Sequence, residues 1–270
     1  MSIIGTVKEL LKQSPVFANI SFLSASDKLK GKRIIVTGGA SGIGQAMAKR
    51  FVAEGASVLI TGRNEEKLAS VSKELGCHAL KLDVTQVETF NVFLNEAIDL
   101  LGTVDCLVNN AGISLHETFE TVTPDGFDAQ ISTNLRGPFF LTQTVLNYWV
   151  KNDMSGQILF ISSESGETAD IRPYGITKAA LNSFVQGLAY AYIRRKIRVN
   201  AIAPGITATA MTGFDPNEDL MSVSNQIGRV YLPEEVAELA AFLLSDAAGC
   251  ISGQIIACNN GNSINARWKR

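Results

Sequence analysis

Thr37-Gly38-Gly39-Ala40-Ser41-Gly42-Ile43-Gly44 is the stretch that decides how this chain folds. It follows a short apolar run, Arg33–Thr37, and leads into Ile43–Glu54, whose apolar residues recur at helical spacing. A strand that turns directly into a helix leaves the first N–H groups of that helix without partners. Glycines make the turn tight and let the backbone approach a pyrophosphate, which those N–H groups attract. Gly38, Gly42 and Gly44 follow the spacing GxxxGxG instead of the commoner GxGxxG. A glycine-rich turn that serves packing alone is the plainer alternative.

Outward from this turn the same alternation repeats. Strands are expected at Arg33–Thr37, Ser57–Thr61, His78–Leu82, Cys106–Asn109, Gln157–Ser162, Arg198–Ala203 and Gln254–Ala257. Helices are expected near Ile43–Glu54, Glu65–Leu75, Val87–Leu101, Phe127–Val150, Tyr174–Arg194 and Pro233–Leu244. Several strands are nearly continuous apolar runs, as strands covered on both faces are. Regular alternation implies right-handed crossovers and a single α/β domain over residues 31–270. Its architecture would be a Rossmann-type doubly wound parallel sheet with helices on both faces. Residues 1–30 form an N-terminal extension. There Val7, Leu10 and Leu11 have helical spacing around Lys8, Glu9 and Lys12, which suggests a short amphipathic helix packed on the body or on a partner subunit. Met211–Arg229 is polar and irregular, and follows a strand's carboxyl end, where a lid belongs.

Bulk chemistry narrows the function classes. The 270 residues are 46% hydrophobic and 19% charged, with a net charge of −2, so the chain is globular and carries no basic field for a nucleic acid. No apolar run approaches the length of a membrane span, and no membrane partner is expected. The extension lacks the apolar core and small-residue cleavage site of a secretory signal. Cys77, Cys106, Cys250 and Cys258 form no CxxC and read as reduced, mostly buried thiols of a cytoplasmic protein. His78 and His116 have no ligand-spaced partners, so no metal is expected. The cluster Arg194-Arg195-Lys196-Arg198 reads as cations at a helix C-terminus.

Chemistry concentrates in Pro173-Tyr174-Gly175-Ile176-Thr177-Lys178, where Tyr174 and Lys178 fall on one helix face. A cation beside a phenol favours the phenolate and lowers a pKa otherwise about 10. Such a tyrosine can exchange a proton with a carbinol oxygen near neutral pH. The second strand ends Thr61-Gly62-Arg63-Asn64, without the acid that an NAD ribose would want. The Arg63 guanidinium suits a 2′-phosphate by charge and by its fork of donors. Asp83-Val84 follows the third strand and is placed to meet an adenine; Asp83 as an N-cap is the alternative.

These segments occur in a fixed order: Thr37–Gly44, then Asn109-Asn110-Ala111-Gly112, Asn134, Ile161-Ser162-Ser163, Tyr174-x-x-x-Lys178, and Pro204-Gly205-Ile206-Thr207-Ala208-Thr209. In that conjunction, from Leu29 to about Gly261, the chain resembles the short-chain dehydrogenase/reductase family, especially members similar to 3-oxoacyl-carrier-protein reductases. The resemblance implies that Tyr174 is the general acid in reduction and the base in oxidation. It implies that Lys178 holds the nicotinamide ribose and lowers the Tyr174 pKa, and that Ser163, in preference to Ser162, hydrogen-bonds the substrate oxygen. Asn134 would hold a water that relays protons through Lys178. The implied cofactor contacts are Gly38, Ser41, Gly42, Ile43, Gly44, Arg63, Asp83, Val84, Asn110, Ala111, Gly112, Tyr174, Lys178, Pro204, Gly205, Ile206, Thr207 and Thr209, with Ile206 and Thr209 facing the nicotinamide. Two departures stand out. Cys258-Asn259-Asn260-Gly261 occupies a place where many relatives carry Asp-Gly-Gly, and the N-terminal extension has no family counterpart.

The expected activity is hydride transfer between NADP(H), favoured over NAD(H), and a small-molecule carbonyl or secondary alcohol, with a ketone or 3-oxoacyl reductase foremost. An NAD(H)-dependent sugar or steroid alcohol dehydrogenase is the alternative. A non-catalytic dinucleotide sensor is the reading from another class, and an intact Ser163, Tyr174 and Lys178 count against it. An epimerase or dehydratase would bring a longer C-terminal substrate domain. Ser114–His116, Thr168–Arg172 and Met211–Ser224 are expected to line the substrate pocket. Apolar residues on more than one side of the helices at Phe127–Val150 and Tyr174–Arg194 suggest a homotetramer.

Overall fold

The computed structural model describes residues 16–18 and 26–264. The amphipathic helix expected around Val7–Leu11 lies outside the described residues. Seven strands, β1 (Arg33–Thr37), β2 (Ser57–Gly62), β3 (His78–Lys81), β4 (Cys106–Asn109), β5 (Gly156–Ile161), β6 (Ile197–Pro204) and β7 (Ile255–Cys258), form one sheet in the order β3-β2-β1-β4-β5-β6-β7. All pairs are parallel, and Ile34 pairs with Val58 on one side and Cys106 on the other. Chain order reverses at β1, so a crevice opens at the carboxyl ends of β1 and β4.

The helices are α1 (Gly42–Ala53), α2 (Glu65–Leu75), α3 (Phe90–Leu101), α4 (Pro124–Ile131), α5 (Gly137–Lys151), α6 (Pro173–Tyr192) and α7 (Pro233–Leu244). Alternating strand residues feed two cores. Ile34, Val36 and Ile60 pack with Met47 and Phe51 of α1 and Ala240 of α7. Ile35, Leu59 and Leu107 pack with Phe90 of α3, Trp149 of α5 and Leu181 of α6. Trp149 is fully buried, donates from Nε1 to the Val104 carbonyl at 2.7 Å, and covers Gly156, where a Cβ would lie 2.6 Å from its ring.

Several expected elements differ in the structure. The helix expected over Phe127–Val150 starts earlier, at Pro124, and is interrupted by a π turn at Ser132–Arg136. Pro138 explains the interruption, because it has no N–H for the Asn134 carbonyl four residues back and its ring crowds that carbonyl. Val87–Leu101 opens with a 3₁₀ turn at Val87–Thr89. The helix expected to reach Arg194 gives way after Tyr192 to a 3₁₀ turn and a left-handed Lys196. Arg198 is not part of that cationic helix end. It is buried on β6 and its Nη2 donates to the Leu243 and Ser245 carbonyls at 3.0 and 3.1 Å, so a strand residue caps the end of α7. Cys106 is buried, and burial pushes its thiol up to about 12, whereas Cys250 is exposed.

Candidate active site

A cleft of about 470 Å³ runs across the carboxyl ends of the strands and gathers most of the expected residues. At one end is the glycine turn. Gly38 and Gly42 have φ of 65° and 51°, in the left-handed region that favours glycine. A Cβ at Gly44 would collide with the Gly38 carbonyl oxygen and Asn110 Nδ2. Ser41 is the extended N-cap of α1, its hydroxyl caps nothing, and the first turn holds no acid, so the N–H groups remain for an anion. Thr37 ties this turn to the loop after β4. Its Oγ1 donates to the Val108 carbonyl at 3.2 Å and accepts from the Asn110 and Ala111 N–H groups, both at 3.0 Å. Asn110 Nδ2 donates back to the Thr37 and Gly38 carbonyls at 2.8 and 3.2 Å. A cradle without side chains, facing an uncapped helix, fits a dinucleotide.

Next along the cleft is Arg63, exposed at the end of β2. Lys67 lines the same stretch, one helical turn further on; sequence reasoning missed it, although its position four residues after Arg63 was the available signal. No acid stands at Gly62–Asn64, and Asn64 is occupied as the N-cap of α2, accepting from the Lys67 N–H at 2.8 Å. Asp83 and Val84 line the cleft. Asp83 closes a local turn, accepting from the Thr85 N–H and hydroxyl at 2.9 and 2.8 Å, and is not a helix N-cap.

At the far end are Tyr174, half-buried, and Lys178, 4% exposed, on the face of α6 that meets β5. Lys178 Nζ donates to the Ile161 carbonyl at 2.8 Å and sits 5.5 Å from the centre of the Tyr174 ring. Burial lowers its pKa to about 8. Burial also raises the Tyr174 phenol above its ordinary value; the nearby Ser163 hydroxyl and the Arg172 guanidinium pull it back, and Glu164 pushes it further up. The expected lowering of the Tyr174 pKa by Lys178 is therefore corrected. Dehydration of the phenolate outweighs the favourable contacts, and the ammonium turns to a carbonyl under the ring.

Ser163, at the end of β5, approaches the Tyr174 phenol and accepts from the Ser165 N–H at 3.2 Å. Ser162 is occupied elsewhere, donating to Asn182 Oδ1 at 2.6 Å. Asn134, in the π turn, clamps the loop after β4: its Oδ1 accepts from the Ile113 N–H at 2.8 Å and its Nδ2 donates to the Ile113 carbonyl at 2.9 Å. Gly112 keeps this junction open, since a Cβ there would lie 3.3 Å from Asn134 Oδ1 and 3.7 Å from Lys178 Nζ.

Ser41, Gly42, Ile43, Ala111, Pro204, Gly205, Thr207 and Thr209 all line the cleft. Gly44 lies beneath the turn and off the wall, as its contacts with Gly38 and Asn110 require. Ile206 does not reach the cleft; it packs instead with Ala208, Leu220, Val230 and Leu232. The Thr207–Tyr231 bridge sets which way the segment faces, and neighbouring residues point to opposite sides. Of the three segments expected at the substrate end, Met211 and Thr212 reach the wall, while Ser114–His116 and Thr168–Arg172 lie outside it. His116 has a left-handed backbone, φ 55°, and its Nε2 is hydrogen-bonded to the Met211 carbonyl at 2.9 Å, tying the loop after β4 to the irregular segment 211–229. Thr133 and Ile113 also line the wall and had no signal in the sequence.

The chain matches a family model described as enoyl-(acyl carrier protein) reductase over residues 38–263. It is 35% identical over 244 residues to a 3-oxoacyl-[acyl-carrier-protein] reductase of Aquifex aeolicus, covering 87% of this chain and 98% of that protein. It is 33% identical to a glucose 1-dehydrogenase of Gluconobacter oxydans, covering 88% and 94%. Among solved structures, a 3-ketoacyl-(acyl-carrier-protein) reductase from Brucella melitensis complexed with NADH superposes with a TM-score of 0.81 at 31% identity, covering 87% of this chain and all of that one.

Proposed function

The chain belongs to the short-chain dehydrogenase/reductase family, oxidoreductases that act on CH–OH and C=O groups with nicotinamide cofactors, and from that premise we propose that it is an NADP(H)-dependent reductase of a ketone or 3-oxoacyl group. The observation that carries the reading is the meeting of Tyr174, Lys178 and Ser163 at one end of a cleft whose other end is the glycine turn and Arg63. The names of the Aquifex and Brucella relatives favour the 3-oxoacyl substrate. The Gluconobacter relative, a glucose 1-dehydrogenase, keeps a sugar dehydrogenase as the second reading.

A nicotinamide supplies or accepts the hydride when bound. Ser163 donates a hydrogen bond to the substrate oxygen, which orients it and steadies its developing charge. Tyr174 delivers a proton from its phenol to that oxygen in reduction and takes it back in oxidation. Lys178 would hold the ribose hydroxyls of the bound cofactor. Asn134 would hold a water that relays protons through Lys178. Turnover with NADPH of a 3-oxoacyl thioester, a set of simple ketones and glucose tests the assignment. Oxidation of glucose with no reduction of any ketone would favour the second reading; no turnover of either class would leave a dinucleotide-binding protein.

NADP(H) should bind more tightly than NAD(H), because cationic Arg63 and Lys67 line the cleft and the Gly62–Asn64 turn carries no acid for a ribose 2′-hydroxyl. Arg63→Ala should weaken NADP(H) about tenfold to a hundredfold and NAD(H) little, as expected for a charge-assisted contact of roughly 1.5–3 kcal/mol. Titrating both cofactors against both proteins checks this; equal losses would mean that Arg63 does not read the phosphate.

We also propose a cytoplasmic homotetramer with the domain running from residue 31 to the C-terminus. Phe139 stacks on Phe184, joining α5 to α6 with ring centroids 4.7 Å apart. Phe140, Ile176 and Tyr190 of the same helices stay exposed, Tyr190 by 90%. Such apolar side chains on adjacent helices suit an isologous contact. Light scattering should give four copies for the full chain and for a chain starting at Asp27. A full-length monomer that associates only after truncation would overturn the tetramer and give the extension a masking role.

A further inference from the structure

The segment after β7, Asn259–Ser263, packs against the turn that follows Ser163. Asn259 follows β7 and is 1% exposed. Its Nδ2 donates to Glu164 Oε2 at 3.1 Å and to Ser263 Oγ at 2.9 Å, and its Oδ1 accepts from the Gly261 N–H at 3.2 Å. Asn262 Nδ2 donates to the same Glu164 oxygen at 3.1 Å, and Ser263 Oγ donates to Glu167 Oε2 at 2.8 Å. Glu164 is the residue after Ser163 and opens a 3₁₀ turn whose Gly166 rests on the Lys178 main chain; a Cβ there would lie 2.8 Å from the Lys178 carbonyl carbon. On its other side, the Asn259 carbonyl accepts from the Tyr231 hydroxyl at 2.6 Å. The Tyr231 ring covers Gly205, where a Cβ would lie 2.5 Å from it, and the Gly205 N–H donates to the Cys258 carbonyl at 3.2 Å.

We infer that Asn259 is a positioning residue that braces both walls of the reaction end: its amide holds the Ser163–Gly166 turn through Glu164, and its carbonyl holds the Gly205 turn through Tyr231. The inference rests on the reading of Ser163 and Tyr174 as catalytic groups. Its chemistry is specific to an amide. Glu164 as a carboxylate accepts only, and among the described residues no cation forms an ion pair with it, so the two asparagine amides are its donors. An aspartate at 259 would set a second carboxylate about 3 Å from that of half-buried Glu164, where the two repel and favour taking up a proton between them. The other titratable groups facing this junction are Tyr174 from α6, Tyr231 with Arg229 over its ring, Glu235 from α7, Glu167 and Cys258. Among the described residues none of these donates to Glu164.

Asn259→Asp, Glu164→Gln and the double variant test this, each followed by kcat and KM against pH with NADPH and the best carbonyl substrate, and by melting against pH without ligand. Asn259→Asp should lose about tenfold or more in kcat at neutral pH, a size usual for coupled neighbours. Both kcat and melting temperature should recover as the pH falls and the pair takes up a proton. Adding Glu164→Gln should restore kcat, because its amide donates to the new carboxylate. An Asn259→Asp protein with unchanged kcat, or a double variant no better than Asn259→Asp, overturns the inference. If the wild type reduces no carbonyl compound, the functional reading fails separately. The melting cycle still decides the coupling, and additive melting shifts would overturn the inference on their own.

Discussion

Tyr174→Phe is expected to lower turnover by about 10²- to 10⁴-fold while leaving cofactor affinity nearly unchanged, the loss usual when a general acid is removed. The substitution keeps the ring that lies over Lys178 and takes away only the proton donor. Melting should therefore shift little. The pH dependence follows from the direction of the phenol's shift. Burial raises its pKa, so the acid form persists at and above neutral pH, and reduction should hold its rate until alkaline pH. Oxidation needs the phenolate and should speed up as the pH rises. Steady-state kinetics in both directions, with cofactor titration, check these points. Near wild-type turnover by the phenylalanine variant would contradict the assigned role.

Lys178→Met should abolish most turnover and yet stabilise the ligand-free protein. The ammonium is buried on one carbonyl acceptor, with no carboxylate partner among the described residues, and burial lowers its pKa from 10.5 to about 8. A group charged in both states but harder to charge in the fold destabilises that fold. At about 1.4 kcal/mol per unit, this shift amounts to about 3 kcal/mol below both pKa values. Methionine fills the space without the charge, so a gain of about 1–3 kcal/mol at neutral pH is expected, some being lost with the hydrogen bond to Ile161. The sign is fixed by proton counting. Between about 8 and 10.5 the unfolded chain binds the proton and the fold does not, so the Lys178 contribution to stability rises with pH over that window. Cys106, pushed up to about 12, acts oppositely as the pH climbs past its ordinary value, but it does so in both proteins. The difference between the two stability curves therefore isolates Lys178, and it should shrink from neutral pH toward pH 10. Denaturant unfolding across that range is the check; a variant less stable at neutral pH, with a gap independent of pH, would contradict it.

The parts of the fold that could be read from the chain are those where local chemistry and tertiary structure agree. Gly38 and Gly42 are glycines because the turn needs φ above zero, and that requirement is written in the sequence. The apolar runs of β1, β2 and β4 mark strands covered on both faces. Tyr174 and Lys178 share a face because of helical spacing alone. What could not be read depends on partners remote in sequence. The π turn at Ser132–Arg136 follows from Pro138, but the clamp that Asn134 makes there is on Ile113. Ile206 faces away from the cleft because of a bridge to Tyr231. The direction of the Lys178 ammonium is set by the Ile161 carbonyl, and the left-handed His116 is held by Met211. Asn259 was legible only as a departure from relatives, since its partner, Glu164, lies 95 residues away.

The fate of the hydride decides whether Tyr174, Lys178 and Ser163 serve carbonyl reduction. NADPH carrying deuterium at the transferable C4 position, incubated with the protein and a ketone or 3-oxoacyl thioester, should give an alcohol with one deuterium on the carbinol carbon and a proton from solvent on its oxygen. Oxidation of the cofactor with no deuterium in the alcohol, or no alcohol at all, would contradict it.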